Sequence, residues 1–388
     1  MSRPHAAAIV EDAWHRQLDR GLRRRGWRNR IIAFVGYGSS DFVRVFARVV
    51  LSRVRDDETG VGLMIGQDTS NLEHDEPDRQ DKQDDPTYGG LRSPFGRSRG
   101  WKVFFTAPAM DVPITITAGD HVAHGRSDRS GIIDLTFRGH GLSPGWHTVR
   151  VVAQNAEPAE VDVFIVGDDV DYGLVSDIDD TVITTSLPRM FLAAWNTFVR
   201  HEGSRRVVAG MAPLYRELIA AHPGAPVVYI STGAWNTAPP LSRFLRNHGY
   251  PLGPLLLTDW GPTNTGWFRS GQEHKRACLD RLAREFPKIK WVLVGDDGQH
   301  DLKVYSDFAE ARPERIDSVA IRQLSPTEQI LSHGIPVATE ELTPRTSRVP
   351  REIPIYYAPD GFGLLRILRA AGKVGPPVEG AAPEGASR

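Results

Sequence analysis

Past residue 170, five almost unbroken apolar runs, YGLVSDI, APVVYIS, GPLLLTD, IKWVLVGD and SVAIRQL, alternate with helical stretches such as GMAPLYRELIAAH, TAPPLSRFLRNHG and EHKRACLDRLAREF. A strand that is apolar along its whole length is buried on both faces, and helices packed on either side of a sheet provide that burial. The alternation therefore predicts a parallel α/β sheet. In such sheets ligands gather beyond the carboxyl ends of the strands, which is where the polar residues of these runs stand. DGFGLLRILRAAGK adds a short helix after an irregular Pro-containing stretch. Residues 373–388 have the composition of a disordered tail.

The chain before residue 170 follows a different rhythm. IIAFVGYG, FVRVFARVVL, WKVFFTAPA, VPITITA, GIIDLTF, WHTVRVVAQ and AEVDVFIV are rich in Val, Ile, Phe and Thr, with turn signals between them. Runs of this kind predict an antiparallel β-sandwich-like domain over residues 30–168. Within it, residues 68–90, DTSNLEHDEPDRQDKQDDPTYGG, are acidic and nearly free of large apolar groups. That composition predicts a flexible excursion between strands, with a plain solvated loop competing against a metal-binding role. Residues 1–29 predict a basic amphipathic helix in which Ile9, Ala13, Leu18 and Leu22 recur near helical spacing. Arg16, Arg20, Arg23, Arg24, Arg25, Arg28, Arg30 and Trp27 give this end its charge and an aromatic ring. Two readings stand side by side: a solvated helix packed on the next domain, or a contact with an anionic membrane surface.

A length of 388 residues supports two domains. Lys plus Arg total 47 and Asp plus Glu total 48, a net charge of −1 that argues against a chain-wide nucleic-acid binder. Cys278 is the single cysteine, so neither an internal disulfide nor a cysteine-rich zinc site is available. The N-terminus lacks the apolar core of a signal peptide, and no run approaches the roughly 18 apolar residues of a membrane span. The sequence thus predicts a cytoplasmic protein without a transmembrane segment, meeting a membrane peripherally at most.

The strongest chemical signal is Asp177-Ile178-Asp179-Asp180-Thr181, at the end of YGLVSDI. On an extended backbone residues i and i+2 face the same side, so Asp177 and Asp179 converge. Two adjacent carboxylates repel, and a divalent cation or a shared proton relieves the repulsion. One can then attack phosphorus while the other handles the leaving group's proton. A helix N-cap with acidic neighbours is the competing structural reading. A second cluster, Gly295-Asp296-Asp297-Gly298-Gln299-His300-Asp301, follows the apolar run IKWVLV and suits a metal-facing loop. Ser231-Thr232-Gly233 offers hydroxyl and backbone donors at another strand end, and Lys275 opens the helix GQEHKRACLDRL. His274 and His300 rank below the aspartates as acid–base groups.

In this order, Asp-x-Asp-x-Thr, a strand ending in Ser/Thr, Lys, and a strand ending in Gly-Asp-x-x-x-x-Asp, the motifs resemble the haloacid dehalogenase-like hydrolase superfamily. SDIDDTVITT, YISTGAWN, LLLTDWG, HKRACLDRL and GDDGQHD narrow the likeness to the catalytic domain of the fungal actin-patch-associated phosphatidate phosphatase and its bacterial relatives. GYGSSDFVRVFARVV and LSPGWHTVRV resemble the β-rich domain that precedes it in bacterial members. The resemblance implies a Rossmann-like parallel sheet of the haloacid dehalogenase type over residues 169–372, without a large cap. It implies Asp177 as nucleophile, Asp179 as acid and then base, Ser231 with Thr232 and Gly233 holding the phosphoryl oxygens, and Lys275 balancing charge. It implies Mg2+ held by Asp177, the Asp179 carbonyl and Asp296, with Asp301 in support. Two positions depart from the family's pattern: Ser-Thr-Gly replaces a Ser-Asn-Ser type of run, and Asp297 stands where a small hydroxyl residue is common.

The implied reaction is Mg2+-dependent hydrolysis of phosphatidate, a phospholipid substrate at a membrane surface, to diacylglycerol. A phosphatase for another phosphomonoester is the alternative within the same chemistry. A non-catalytic phospholipid-binding module is the alternative from another class. Only about 45 residues separate Thr181 from APVVYIS, too few for a large cap. In the superfamily these motifs resemble, a missing cap goes with an open site and a bulky or surface-bound substrate; the alternative is that the β-domain covers the site.

Overall fold

In the computed structural model, residues 20–53, 107–184, 206–258, 271–298, 301–333 and 349–375 are described. The first sheet is built on a long hairpin, β1 (Trp27–Ser39) and β2 (Phe42–Arg53). β3 (Ala107–Pro108), β4 (Pro113–Ala118), β5 (His121–Arg126), β6 (Ile132–Arg138), β7 (Gly145–Ala153) and β8 (Ala159–Val166) complete it. Its order is β3-β2-β1-β8-β7-β4-β5, with β6 also on β2, and its pairs are antiparallel except β1 with β8. Alternation along β2 decides what each face does. Val43, Val45, Ala47, Val49 and Leu51 point into the sheet's own core, while Phe42 and Phe46 join the core of the second sheet.

Three details differ from the sequence reading. The expected sandwich is a single curled sheet of eight strands. β5, HVAHGR, was not among the expected strands, because half-exposed His, Ala and Gly carry no β signal. β1 begins at Trp27, so strand takes up the last three residues of the expected 1–29 helix; among the described residues a helical turn at 20–24 precedes it. Leu22 in that turn packs against the sheet's core. The rest of the helix, the acidic segment 68–90 and most of the expected strand WKVFFTAPA lie outside the described residues.

The second sheet is parallel and runs β13-β12-β9-β14-β15-β16. Its strands are β9 (Tyr172–Asp177), β12 (Val227–Ala234), β13 (Leu255–Thr258), β14 (Lys290–Asp296), β15 (Ile316–Arg322) and β16 (Ile355–Ala358). The chain adds strands outward on one side of β9 and then returns to the other, so β9 is central and the order reverses beside it. Ligands bind at such a reversal. A two-stranded ribbon, β10 (Ile183–Thr184) with β11 (Arg206–Val207), follows β9; residues 185–205 between them, where a cap would arise, lie outside the described residues. The helices are α1 (Met211–Ala221), α2 (Ala238–Asn247), α3 (Gly271–Glu285), α4 (Asp301–Ala311), α5 (Pro326–His333) and α6 (Gly361–Ala370). α1 packs with α6 and α3 with α4. α4, α5 and β16 were not expected: α4 opens on the acidic cluster itself, and β16 lies in the stretch read as irregular. No helix among the described residues is long and apolar enough to cross a membrane.

Candidate active site

The site grows from the central strand. Asp177 ends β9 with neighbours on both sides, Ile230 of β12 in register with it and Val294 of β14 beside Ser176. The chain then turns tightly. Val182 and Ile183 donate backbone N–H groups to the Ile178 carbonyl at 3.0 and 3.1 Å, and Asp180 N–H bonds the Ile183 carbonyl at 2.8 Å. Asp180 sits at φ 59°, the left-handed conformation that Asp tolerates better than most residues. This turn keeps Asp179 beside the strand end.

Three more elements deliver charge. Lys275, one turn into α3, places Nζ 2.5 Å from Asp177 Oδ1 and also pairs with Asp301 Oδ1. Asp296 ends β14, where Gly298 N–H bonds its Oδ1 at 2.6 Å and Thr181 Oγ1 reaches its Oδ2 at 3.5 Å. Asp301 starts α4. A Cβ on Gly295 would stand 2.9 Å from Asp301 Oδ2 and 2.7 Å from the Tyr305 ring, so only glycine lets β14 pass so close to this carboxylate. The fourth element is the carboxyl end of β12, which loops out of register with β13 between Ile230 and Ala234. Ser231 Oγ donates to Asp179 Oδ2 at 3.0 Å and accepts from Gly233 N–H at 3.0 Å. Thr258 Oγ1 bonds the Thr232 and Gly233 carbonyls at 2.9 and 3.2 Å.

Four carboxylates therefore gather around one ammonium group: Asp177, Asp296 and Asp301 are buried, Asp179 is half-buried, and Asp177 and Asp301 pair with Lys275 directly. Burial pushes the Asp177 carboxyl well above the usual range, and the Asp301 charge adds to it. Burial likewise raises Asp179, against the pull of Lys275 and the Ser231 hydroxyl. Burial, then Asp301 and Asp177, raise Asp296. For Lys275 burial opposes the charge, but Asp177 and Asp301 outweigh it and hold the group firmly protonated.

Asp177, Asp296 and Asp301 each bring a carboxylate oxygen to within 4.8 Å of the others. Asp177 Oδ2 is buried without a hydrogen-bond donor among the described residues. Hard oxygen donors, excess negative charge and an unsatisfied buried oxygen fit a divalent cation. The Asp179 side chain is not part of this triad and spends an oxygen on Ser231 instead.

The remaining candidates separate. Asp297 faces away from the triad: its Oδ1 accepts from Leu324 N–H at 2.8 Å, tying the loop to the end of β15. His274 binds the Leu256 carbonyl through Nε2 at 3.1 Å, a structural use of the ring. His300 lies outside the described residues. Arg322 was missed by sequence reasoning. Buried at the end of β15, it donates to the Asp180 carbonyl at 2.6 Å and pairs with Glu328 at 2.5 Å. Glu328 in turn closes a capping box with Ser325 at the start of α5. The available signal was an arginine ending an apolar strand, followed by Ser-Pro-Thr-Glu.

Comparison with known proteins agrees with this constellation. Residues 172–323 match the sequence profile of the family described as phosphatidate phosphatase APP1, catalytic domain. Phosphatidate phosphatase APP1 of Saccharomyces cerevisiae is 30% identical over 172 residues, 43% of this chain and 29% of that protein. An uncharacterized protein of Schizosaccharomyces pombe is 28% identical over 152 residues, 39% of this chain and 25% of that protein. The matched stretches thus span less than a third of either relative. A carbohydrate acetylesterase structure from Xanthomonas citri overlaps at 10% identity over 84% of this chain and 66% of that one, with a TM-score of 0.26, too low to carry an argument. Over residues 172–323 the parallel-sheet portion of the chain, with Asp177, Ser231, Lys275 and Asp296 at its carboxyl edge, matches the APP1-type phosphatidate phosphatase catalytic-domain family.

Proposed function

We propose that this chain is a Mg2+-dependent phosphatidate phosphatase of haloacid dehalogenase type, acting on the phospholipid at a membrane surface. The observation that carries the reading is the buried ion pair of Lys275 with Asp177, set within the triad of Asp177, Asp296 and Asp301. A hydrolase for phosphate monoesters needs a nucleophile, an acid, and positive charge placed against the phosphoryl oxygens, and each has a side chain here.

Asp177 attacks phosphorus through one carboxylate oxygen, the bond from phosphorus to the lipid oxygen breaks, and Asp179 gives that oxygen its proton. Burial favours the protonated form of Asp179 that this step requires. In the second half Asp179, now a carboxylate, takes a proton from water as the water oxygen bonds to phosphorus. The phosphorus–Asp177 bond breaks, releasing inorganic phosphate. Ser231 and the backbone of Thr232 and Gly233 orient the phosphoryl oxygens, while Lys275 favours the ionised form of Asp177. Asp177, Asp296 and Asp301 would hold a divalent cation, which would supply charge to neutralise the phosphoryl group.

The test is phosphate release from phosphatidate, lysophosphatidate and diacylglycerol pyrophosphate in vesicles, and from soluble esters, each with and without Mg2+. Faster turnover on vesicles supports the lipid, and equal or better rates on soluble esters overturn it. Asp177→Asn and Asp179→Asn are expected to abolish release with the circular dichroism spectrum unchanged. Retained turnover in either removes the assigned mechanism. Lipid binding by a wild-type chain without turnover would make it a binding module instead.

A further inference from the structure

The hairpin of β1 and β2 grips both elements that face the phosphate. Phe34 and Phe46 are direct partners across the two strands. The Trp235 ring lies against both, with centroids at 5.2 and 5.6 Å. Trp235 is buried and follows β12 immediately, at the start of the short turn Trp235–Thr237 that leads into α2. It is therefore the continuation of the 231–234 loop. One step along the hairpin, Tyr37 and Arg44 are also direct partners. Tyr37 donates to Glu285 Oε2 at 2.6 Å and Arg44 to Glu285 Oε1 at 2.9 Å. Glu285 ends α3, the helix that carries Lys275. Phe286 sits between Tyr37 and Phe42 at 5.8 and 5.7 Å.

Thr237 Oγ1 bonds the Ala234 carbonyl at 2.6 Å, and Thr258 of β13, in register with Ala234, holds the Thr232 and Gly233 carbonyls. β13 thus fixes one flank of the loop, and Trp235 in the aromatic clasp fixes the end that leads into α2.

We propose that Trp235 is a positioning residue, and that through it the first sheet sets where Ser231, Thr232 and Gly233 present their donors to a phosphoryl group. This rests on the phosphatase reading above for its ligand. Groups that bind a reacting phosphate must be placed to within about half an ångström, and a shift of about 1 Å costs on the order of 100-fold in rate. Loss of the indole lets the loop settle toward the emptied space between Phe34 and Phe46, carrying the Ser231 contact to Asp179 with it. The first sheet is then a working part of the centre although none of its side chains touches substrate.

The experiment uses the full chain with Trp235→Ala, Trp235→Phe, Phe46→Ala and the double variant Phe46→Ala/Trp235→Ala. Three quantities are read well below each variant's Tm. They are kcat and KM on p-nitrophenyl phosphate, the affinity for inorganic phosphate by calorimetry, and the affinity for Mg2+. Trp235→Ala is expected to lower kcat and phosphate affinity at least tenfold with Mg2+ affinity unchanged, since the acidic triad stands on β9, β14 and α4. Trp235→Phe is expected to stay within threefold of wild type. The double variant is expected to lose no more than either single one, as for residues acting as one unit. A lower Tm with kcat and phosphate affinity both within twofold of wild type overturns the proposal. If Trp235→Ala does not fold, Phe46→Leu is read by the same criteria. A wild-type chain that binds inorganic phosphate but hydrolyses nothing refutes the phosphatase reading alone, because the phosphate-affinity arm still decides the role of Trp235. A wild-type chain that binds no phosphate refutes both.

Discussion

Arg322 Nη1 donates to the backbone carbonyl of Asp180 at 2.6 Å, joining the end of β15 to the turn that holds Asp179. That turn has Asp180 in a left-handed conformation, and the guanidinium is pinned on its other side by Glu328. Arg322→Ala would remove the guanidinium's hydrogen bond to the Asp180 carbonyl and its ion pair with Glu328, at about 1–3 kcal/mol. Turnover is expected to fall about 100-fold, as for a centre displaced by about 1 Å. Arg322→Lys would restore charge but not the fork that reaches both partners, so it is expected to rescue stability more than kcat. Chemical denaturation and steady-state kinetics on the two variants check this.

The acidic cluster makes metal-free stability depend on pH. Burial raises the carboxyls of Asp177, Asp179 and Asp296 above their ordinary value of 3.8. Between that value and the raised ones the folded chain holds more protons than the unfolded chain. Stability is therefore present at low pH and is lost as pH rises through this window. Metal-free Tm is expected to fall as pH rises above that ordinary value, and saturating Mg2+ to reverse the trend. At 100 times Kd the cation should add about 2.7 kcal/mol. Differential scanning calorimetry with chelator and with Mg2+ measures both arms, and a metal-free Tm that rises over the same range contradicts it.

Gly295 marks where β14 comes closest to the metal-facing carboxylates. A methyl there would meet the Tyr305 ring at 2.7 Å and Asp301 Oδ2 at 2.9 Å. Gly295→Ala is expected to cost about 1–3 kcal/mol from overpacking. By moving Asp301, it should also weaken Mg2+ binding about tenfold or more. Calorimetric titration of Mg2+ into the variant provides the readout, and an unchanged affinity would show that Asp301 stands apart from the cation.

The basic charge of this end lies in the arginine-rich turn whose Leu22 packs on the first sheet. Because Leu22 and Trp27 belong to the fold, the variant that isolates a membrane role replaces the exposed Arg20, Arg24, Arg25 and Arg28 by Gln. It is expected to reduce sedimentation with anionic vesicles, more so at low salt, while leaving Tm within a few degrees. Unchanged sedimentation at both salt concentrations assigns this end no part in membrane contact.

The two rhythms of the sequence determined the division of the molecule. Continuous apolar runs are buried on both faces wherever they pack, so β9, β12, β13, β14 and β15 were legible without tertiary information. So was the placement of Asp177, Ser231 and Asp296 at their carboxyl ends. Local periodicity likewise showed strands at β1 and β2, but not β5, whose His and Gly residues pair only because a neighbouring strand is present. What the tertiary structure alone decided were the relations between distant parts of the chain. Asp301 joins Asp177 and Asp296 because α4 begins beside β14. Asp179 turns from that triad to Ser231. Arg322 reaches back to Asp180 from 142 residues further along the chain. Phe34 and Phe46, read from the sequence as sheet residues and nothing more, close on Trp235 because one face of β2 belongs to the second sheet's core. A pattern of residues along a chain encodes which faces are buried, whereas the partner each buried group meets is set by packing, and the chemistry of this site depends on those partners.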